Sequence, residues 1–345
     1  MMGRDPSMDA ARGLAVAGMI FMHLVPLDGI ATWLELMIEG TAAALFFVLV
    51  GMSWAIQADR TSSPTGLRQF ALRRTVALLI LGLMLHVFLW PTEVLIPFGI
   101  MLAPALWVRS KGPVALTIGI VALLTIVLLG ANSFSTYAEA DWLENGSHLA
   151  DTKVGWITLR YLLFDGNYPL IPWMVFPCLG MLLFSGQESI GRLKASLVIG
   201  LGIGCAMGLL TFWTDSHAEN LGPAAIFVAT SWVPTTLPFV LMKGGMAVSV
   251  VAGLSLWHRA GGLPKALARM TFVGRASLTH YLAHICLVFV PLRLLYPGED
   301  WPLWVGLGST IAYLVLGIPL SIWWFKRHKR GPLEQIVSRF SGGVA

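Results

Sequence analysis

Two short stretches hold the residue types that do chemistry. The first is Ser7-Met8-Asp9-Ala10-Ala11-Arg12-Gly13, followed by the apolar run 14–22 and then His23. An acid and a base three apart open a helix of membrane composition, and His23 sits near its far end, roughly 16 Å from Arg12 at 1.5 Å per residue. An imidazole titrates near neutrality, so His23 can serve as a general base or accept an acyl group. Ionisable groups within membrane segments mark functional sites by default. The plain alternative for one histidine is a hydrogen bond to a neighbouring helix, because buried polar groups are usually paired. The second stretch is Leu278-Thr279-His280-Tyr281-Leu282-Ala283-His284, with two histidines one helical turn apart. That spacing can bind zinc, but the HExxH glutamate is missing and no Cys or His set completes a tetrahedral site. No metal is expected, and helix–helix hydrogen bonding is the better reading of His280 and His284.

Other ionisable residues fall towards the same end of the helices as His23: Asp28, Glu35, Glu39, His86, Glu93, Lys243 and Arg293. A carboxylate can orient an imidazole and raise its basicity, the third-group logic of nucleophilic sites. Glu39, deeper than Glu35, is the favoured orienting group, and Asp9 completes the acid set. The alternative for the two glutamates is a helix start, where acids suit the dipole. At the opposite end lie Arg12, Arg73, Arg74 and Arg275 with the basic run 326–330. Guanidinium groups bind phosphate bidentately, so these residues could surround a polyanion such as a coenzyme A thioester. The ordinary belt of cytoplasmic charge is the alternative.

Such groups need helices to hold them, and composition says which kind. Of 345 residues 56% are hydrophobic and only 12% charged, with mean hydropathy +0.74; a soluble domain carries about 25% charged residues. Apolar runs near 20 residues recur, each able to cross about 30 Å of hydrocarbon. Apolar and polar residues do not alternate, which excludes a transmembrane barrel. The chain reads as an all-α polytopic bundle of about ten spans: 12–28, 36–57, 72–90, 93–109, 113–131, 168–186, 195–213, 235–257, 276–295 and 303–325. Nineteen of the 23 Lys and Arg then lie on or beside one side, which puts both termini in the cytoplasm. Residues 1–345 form a single domain, with 132–167 as its long outer-side loop. The first span reads as a retained helix rather than a signal peptide. Cys178, Cys205 and Cys286 fall inside apolar spans and form no disulfide framework. The run Gly200 to Gly208 lacks the dinucleotide spacing and reads as small-residue helix packing. The basic run 326–330 is an anchor on anionic lipid, not a nucleic-acid arm.

Four segments together resemble one family. They are Met8 to Ala15 with His23; Glu39-Gly40-Thr41-Ala42 through Gly51; Tyr168-Pro169-Leu170-Ile171-Pro172-Trp173 through Gly180; and Arg275-Ala276-Ser277 through Leu282. The set is similar to the heparan-alpha-glucosaminide N-acetyltransferase-like transmembrane acyltransferases and their bacterial relatives. The closing Arg330-Gly331-Pro332-Leu333-Glu334 with Arg339 resembles one bacterial branch. The opening Asp-x-x-Arg-Gly…His also looks like that of the sugar O-acetylating membrane enzymes.

The resemblance implies an acyl-CoA donor, acetyl-CoA in the first instance, entering from the cytoplasm. It implies transfer to a hydroxyl or amine, often on a sugar, at the outer side of a bacterial cytoplasmic membrane. It also implies a catalytic role for His23 with Asp9 and Arg12, and a cavity shaped by Pro172 and Trp173, with Trp173 beside the donor. Expected partners are the bilayer, the acyl-CoA and a sugar or glycan acceptor, with a second copy of the chain as a further candidate. The large luminal domain of the lysosomal enzyme is absent here. The rival reading is a transporter, since polar groups at membrane depth, such as Lys243 and His86, also mark substrate paths.

Overall fold

The structure, a computed structural model, describes residues 5–27, 37–61, 63–89, 93–140, 155–186, 189–221, 227–233, 235–297 and 301–341. Asp28, Glu35 and residues 141–154 of the expected outer loop lie outside them. Among the described residues every regular element is a helix. In chain order these are α1 (Pro6–Leu24), α2 (Thr41–Arg60), α3 (Pro64–Phe88), α4 (Leu95–Arg109), α5 (Pro113–Ala140), α6 (Trp156–Arg160), α7 (Leu170–Trp173), α8 (Val175–Gly186), α9 (Ile190–Leu221) and α10 (Leu237–Gly261). Then come α11 (Lys265–Arg275), α12 (Ser277–His284), α13 (Val290–Leu295), α14 (Leu303–Phe325) and α15 (Pro332–Ser341). Two π turns, Tyr161–Asp165 and Ile285–Phe289, follow α6 and α12.

Among the described residues eight helical segments are long and apolar enough to cross a membrane, two of them (Trp156–Ser185 and Ser277–Leu295) running on through the π turns, and the protein is a polytopic membrane helical bundle. Two expected spans are not in that set, for different reasons. The helix α4 is apolar but only 15 residues long. The helix α1 is long enough but carries Asp9, Arg12 and His23. Its burial resolves the difficulty: Ser7, Met8, Asp9, Ala10, Ala11 and Gly13 of its first turns are all buried. It is a core helix, surrounded by protein rather than lipid.

Several boundaries move because of caps. Asp5 accepts from Ser7 N at 2.8 Å with Pro6 at the first helical position, so α1 starts six residues before the expected 12. Ser63 accepts from Gly66 N at 3.0 Å ahead of Pro64, so α3 uses up most of the expected loop 58–71. Both are N-cap oxygens followed by a proline that sacrifices no hydrogen bond there. The expected loop 258–275 contains the amphipathic helix α11, and the segment beyond 325 forms α15.

The bundle is tied together where backbones approach closely. A Cβ on Gly274 would lie 1.8 Å from Asp9 O, and one on Gly13 would lie 2.2 Å from Met270 O, so α1 and α11 cross backbone to backbone. Gly51 meets the backbone of Pro177, and Gly180 meets that of Val48, which joins α2 to α8. These two glycines end the second and third resemblance segments, so the motifs mark a helix contact. Gly200 against the Gly245 carbonyl does the same for α9 and α10, as the small-residue reading of 200–208 expects. A groove of about 590 Å³ between α5, α8, α9 and α10 is lined mainly by apolar side chains; none of the candidate site residues lines it.

Gly274→Ala is therefore expected to overpack the α1–α11 crossing and cost about 1–3 kcal/mol. Gly202→Ala, whose Cβ meets nothing within 4 Å, should stay within about 0.5 kcal/mol of the parent or gain. Reversible unfolding of the reconstituted protein checks the pair; equal stability of the two variants would contradict the crossing.

Candidate active site

The end of α1 brings His23 to the end of α12. His23 Nδ1 lies 2.9 Å from His284 Nε2, and the rings stack with centroids 5.1 Å apart. The protons can be assigned from the network. His284 Nδ1 is 3.1 Å from the His280 carbonyl oxygen, which can only accept, so His284 Nδ1 carries hydrogen. In the neutral ring His284 Nε2 is then the acceptor, and His23 Nδ1 must donate to it. The lone pair of His23 is thereby on Nε2. If Nε2 takes a proton, the Nδ1–H···Nε2 bond becomes charge-assisted and strengthens.

Neighbouring elements fix both rings. The carbonyl of Leu24, the residue after His23, accepts from Trp301 Nε1, so the C-terminal end of α1 is tied to the segment before α14. Arg293 lies over the Phe289 and Trp301 rings, at 5.7 and 5.1 Å. One turn before His284, His280 is held by Tyr313 at 3.0 Å and Ser321 at 2.7 Å, both on α14. His280 follows the helix–helix hydrogen-bonding expectation, and so does His284, through His23 on α1. The π turn 285–289 begins directly after His284, and such turns are frequent at functional sites.

The group at His23 Nδ1 is thus an imidazole rather than the expected carboxylate. Glu39 is within electrostatic reach of Lys243, a lysine 1% exposed on α10. Lys243 Nζ is 3.2 Å from Thr41 Oγ1 and 5.9 Å from the Phe239 ring centre. A buried ammonium needs a nearby opposite charge more than a neutral imidazole does. Asp9 sits on the same helix as His23, fourteen residues and about 21 Å away. It binds Arg12 at 2.6 Å instead, with 3% of its side chain exposed. Arg12 also donates to Ser53 Oγ on α2 at 2.8 Å.

Trp173 is fully buried. It packs against Phe47, Tyr168, Phe176, Trp232 and Phe239 and donates to Thr235 Oγ1 at 3.2 Å. Phe239 joins this aromatic cluster to Lys243. At the other end of the bundle Arg73 is exposed and Arg74 half-buried. Arg74 lies within electrostatic reach of Glu334 and Arg330. Arg275 donates to the Lys329 carbonyl at 3.2 Å and stacks 3.9 Å over Phe325. The four expected arginines thus divide into Arg12 on α1–α2, Arg74 and Arg275 around 329–334, and Arg73 facing outward. Residues that the sequence reading did not single out include Ser53, Thr41 and the buried pair Arg160–Asp165 at 2.6 Å across the first π turn. Neither the hydroxyls nor that pair has a spacing signature. His284 had one, the i,i+4 pair, whose partner lies 261 residues away.

Residues 4–198 match the family described as heparan-alpha-glucosaminide N-acetyltransferase, catalytic. The chain belongs to this family. It is a multi-pass membrane protein of the acyltransferase type. Residues 181–343 match a second family, described as a protein of unknown function, DUF418. No curated protein and no solved structure matches the chain. His23 falls in the first match and His284 in the second, so the dyad joins the two.

The Asp9–Arg12 pair gives a stability test. Arg12→Met leaves a carboxylate buried without its guanidinium and is expected to cost about 3 kcal/mol. Adding Asp9→Asn should recover more than half of that loss, measured by unfolding of the reconstituted protein. No recovery in the double variant would show that the pair is not a coupled unit.

Proposed function

We propose that the protein is a membrane-embedded acyltransferase. It moves an acyl group, acetyl in the first instance, from cytoplasmic acyl-CoA to a hydroxyl or amine of an extracytoplasmic acceptor, a sugar or glycan. The observation that carries this reading is the His23–His284 dyad, in a chain of an N-acetyltransferase family. Its proton arrangement puts a basic nitrogen at His23 Nε2.

The distribution of Lys and Arg supports an orientation with both termini in the cytoplasm of a bacterial cell. The ADP-like end of the donor then meets the arginine-rich end of the bundle, where Arg12, Arg73, Arg74 and Arg275 are candidates for phosphate. The pantetheine arm runs between helices towards the far end of α1. At His23, Nε2 removes the proton from the acceptor hydroxyl or amine as its oxygen or nitrogen attacks the thioester carbonyl. The carbon–sulfur bond breaks, and the coenzyme A thiolate leaves with the proton returned by His23. A two-step course through an acyl group on Nε2 uses the same residues. His284 holds His23 in the required tautomer and shares the charge that develops on it, as the third group of a catalytic set does. Phe46, Phe47 and Trp173 help exclude water that would otherwise hydrolyse the thioester.

Two measurements test this. Acetyl-CoA at a hundred times its dissociation constant should stabilise the purified protein by about 2.7 kcal/mol, and less so in Arg12→Ala. His23→Ala should lower acetyl transfer to an amino-sugar or glycan acceptor by about 10²–10⁴-fold while the protein stays folded. Absence of any acetyl-CoA stabilisation, together with solute movement in sealed vesicles that does not need His23, would replace the enzyme with a transporter.

A further inference from the structure

We propose that the C-terminal segment Arg330-Gly331-Pro332-Leu333-Glu334 positions the histidine dyad, and that Glu334 is the positioning residue that sets it. The proposal rests on the acyl-transfer reading only for its kinetic consequence. It starts from a gap in local structure. The helix α12 carries both His280 and His284, yet it begins after Ala276 and has no side-chain cap of its own. Alanine cannot accept the orphan N–H groups of a first turn.

Glu334 fills that gap from 55 residues away. One carboxylate oxygen accepts from Leu278 N at 2.6 Å and Thr279 N at 3.1 Å, and the other accepts from Thr279 Oγ1 at 2.6 Å. Thr279 Oγ1 in turn accepts from Leu333 N at 3.1 Å. Four hydrogen bonds close a ring between α15 and the first turn of α12, with a negative charge at the helix end that favours it. This ring lies one residue before His280 and five before His284. Downstream of His284 the chain enters the π turn 285–289, where the regular helical register stops. Upstream, the register of α12 is fixed by the Glu334 ring and by the His280 contacts to Tyr313 and Ser321.

The segment is itself held in place. Trp324 Nε1 donates to Arg330 O at 2.8 Å, and Arg275 donates to Lys329 O from its perch on Phe325. A Cβ on Gly331 would lie 2.2 Å from Glu334 Oε2 and 2.9 Å from Ala276 Cβ, so only glycine lets the carboxylate reach. Arg74 is within electrostatic reach of the carboxylate. Two arginines expected to bind the donor thus flank a segment that steers His284. A rotation of α12 about its axis would swing His284 Nε2 away from His23 Nδ1, leaving the His23 tautomer unset.

The test compares Glu334→Ala, Glu334→Gln and the neighbouring Gln335→Ala in the full chain, reconstituted in lipid. The first readout is the ¹⁵N–¹⁵N contact between His23 and His284 by solid-state NMR of ¹⁵N-histidine protein, which needs no turnover. The second is kcat and KM for acetyl-CoA. Glu334→Ala is expected to lose the contact and about 10²-fold in kcat, as a misplacement of about 1 Å does, with KM within about twofold. The Gln variant, whose amide oxygen can still accept from both backbone N–H groups, should keep the contact and restore kcat to within about tenfold. Gln335→Ala should match the parent. Retention of the contact in Glu334→Ala would overturn the proposal. So would loss of the contact in Glu334→Gln and Gln335→Ala as well, since that is general loosening of α15. If the parent transfers no acyl group at all, the proposed function fails, while the NMR readout still decides the positioning role.

Discussion

Inside a bilayer there is no water to solvate a polar side chain, so each one must find its partner within the protein. This constraint shapes α1 more than any other element. It carries an aspartate, an arginine and a histidine in nineteen residues, and it could not face lipid. The answer is a helix surrounded by α2, α10, α11 and α14, with each polar group given a specific contact: Asp9 to Arg12, Arg12 to Ser53, Ser7 to Ser255, His23 to His284. The close crossings at Gly13 and Gly274 let α11 lie directly on the polar half of α1. The expense of placing these groups at membrane depth is what makes a functional reading of them compelling.

The site is assembled from both halves of the chain. His23 arrives on the first helix, and His284 on the twelfth, so neither family match contains the dyad alone. In the proposed dyad a neutral histidine takes the place of the familiar carboxylate. It holds the tautomer by the same geometry but places no full negative charge beside His23 in the membrane interior. The carboxylate on α2's approach, Glu39, is within electrostatic reach of Lys243, whose buried charge is the costlier one to leave alone. The two pairings answer the same constraint with different chemistry.

Much of this was legible in the sequence. Composition and apolar runs foretold a polytopic helical bundle, and α14 begins and ends where the hydropathy does, at 303 and 325. The motif segments point to His23, Arg12 and Trp173, which lie beside His284, Asp9 and the aromatic cluster, and the glycine-rich run 200–208 is a packing surface at Gly200. What stayed hidden was pairing across long separations. Nothing in the spacing of His280 and His284 says that the second meets residue 23, or that Glu334 caps the start of the helix that carries both. Helix starts were missed where a cap and a proline, Asp5-Pro6 and Ser63-Pro64, overrode the hydropathy boundary. The amphipathic helices α11 and α15 were missed because their polar faces dilute the apolar signal on which span assignment depends.

A double-mutant cycle on acetyl transfer decides whether His23 and His284 act as one catalytic unit. The quantities are kcat/KM for the parent, His23→Ala, His284→Ala and the double variant, each shown to be folded. Residues acting as a unit give grossly non-additive losses. If they do, the double variant is no worse, within about threefold, than His23→Ala alone. Losses that multiply across the two positions would mean that the histidines contribute independently, and would contradict the dyad.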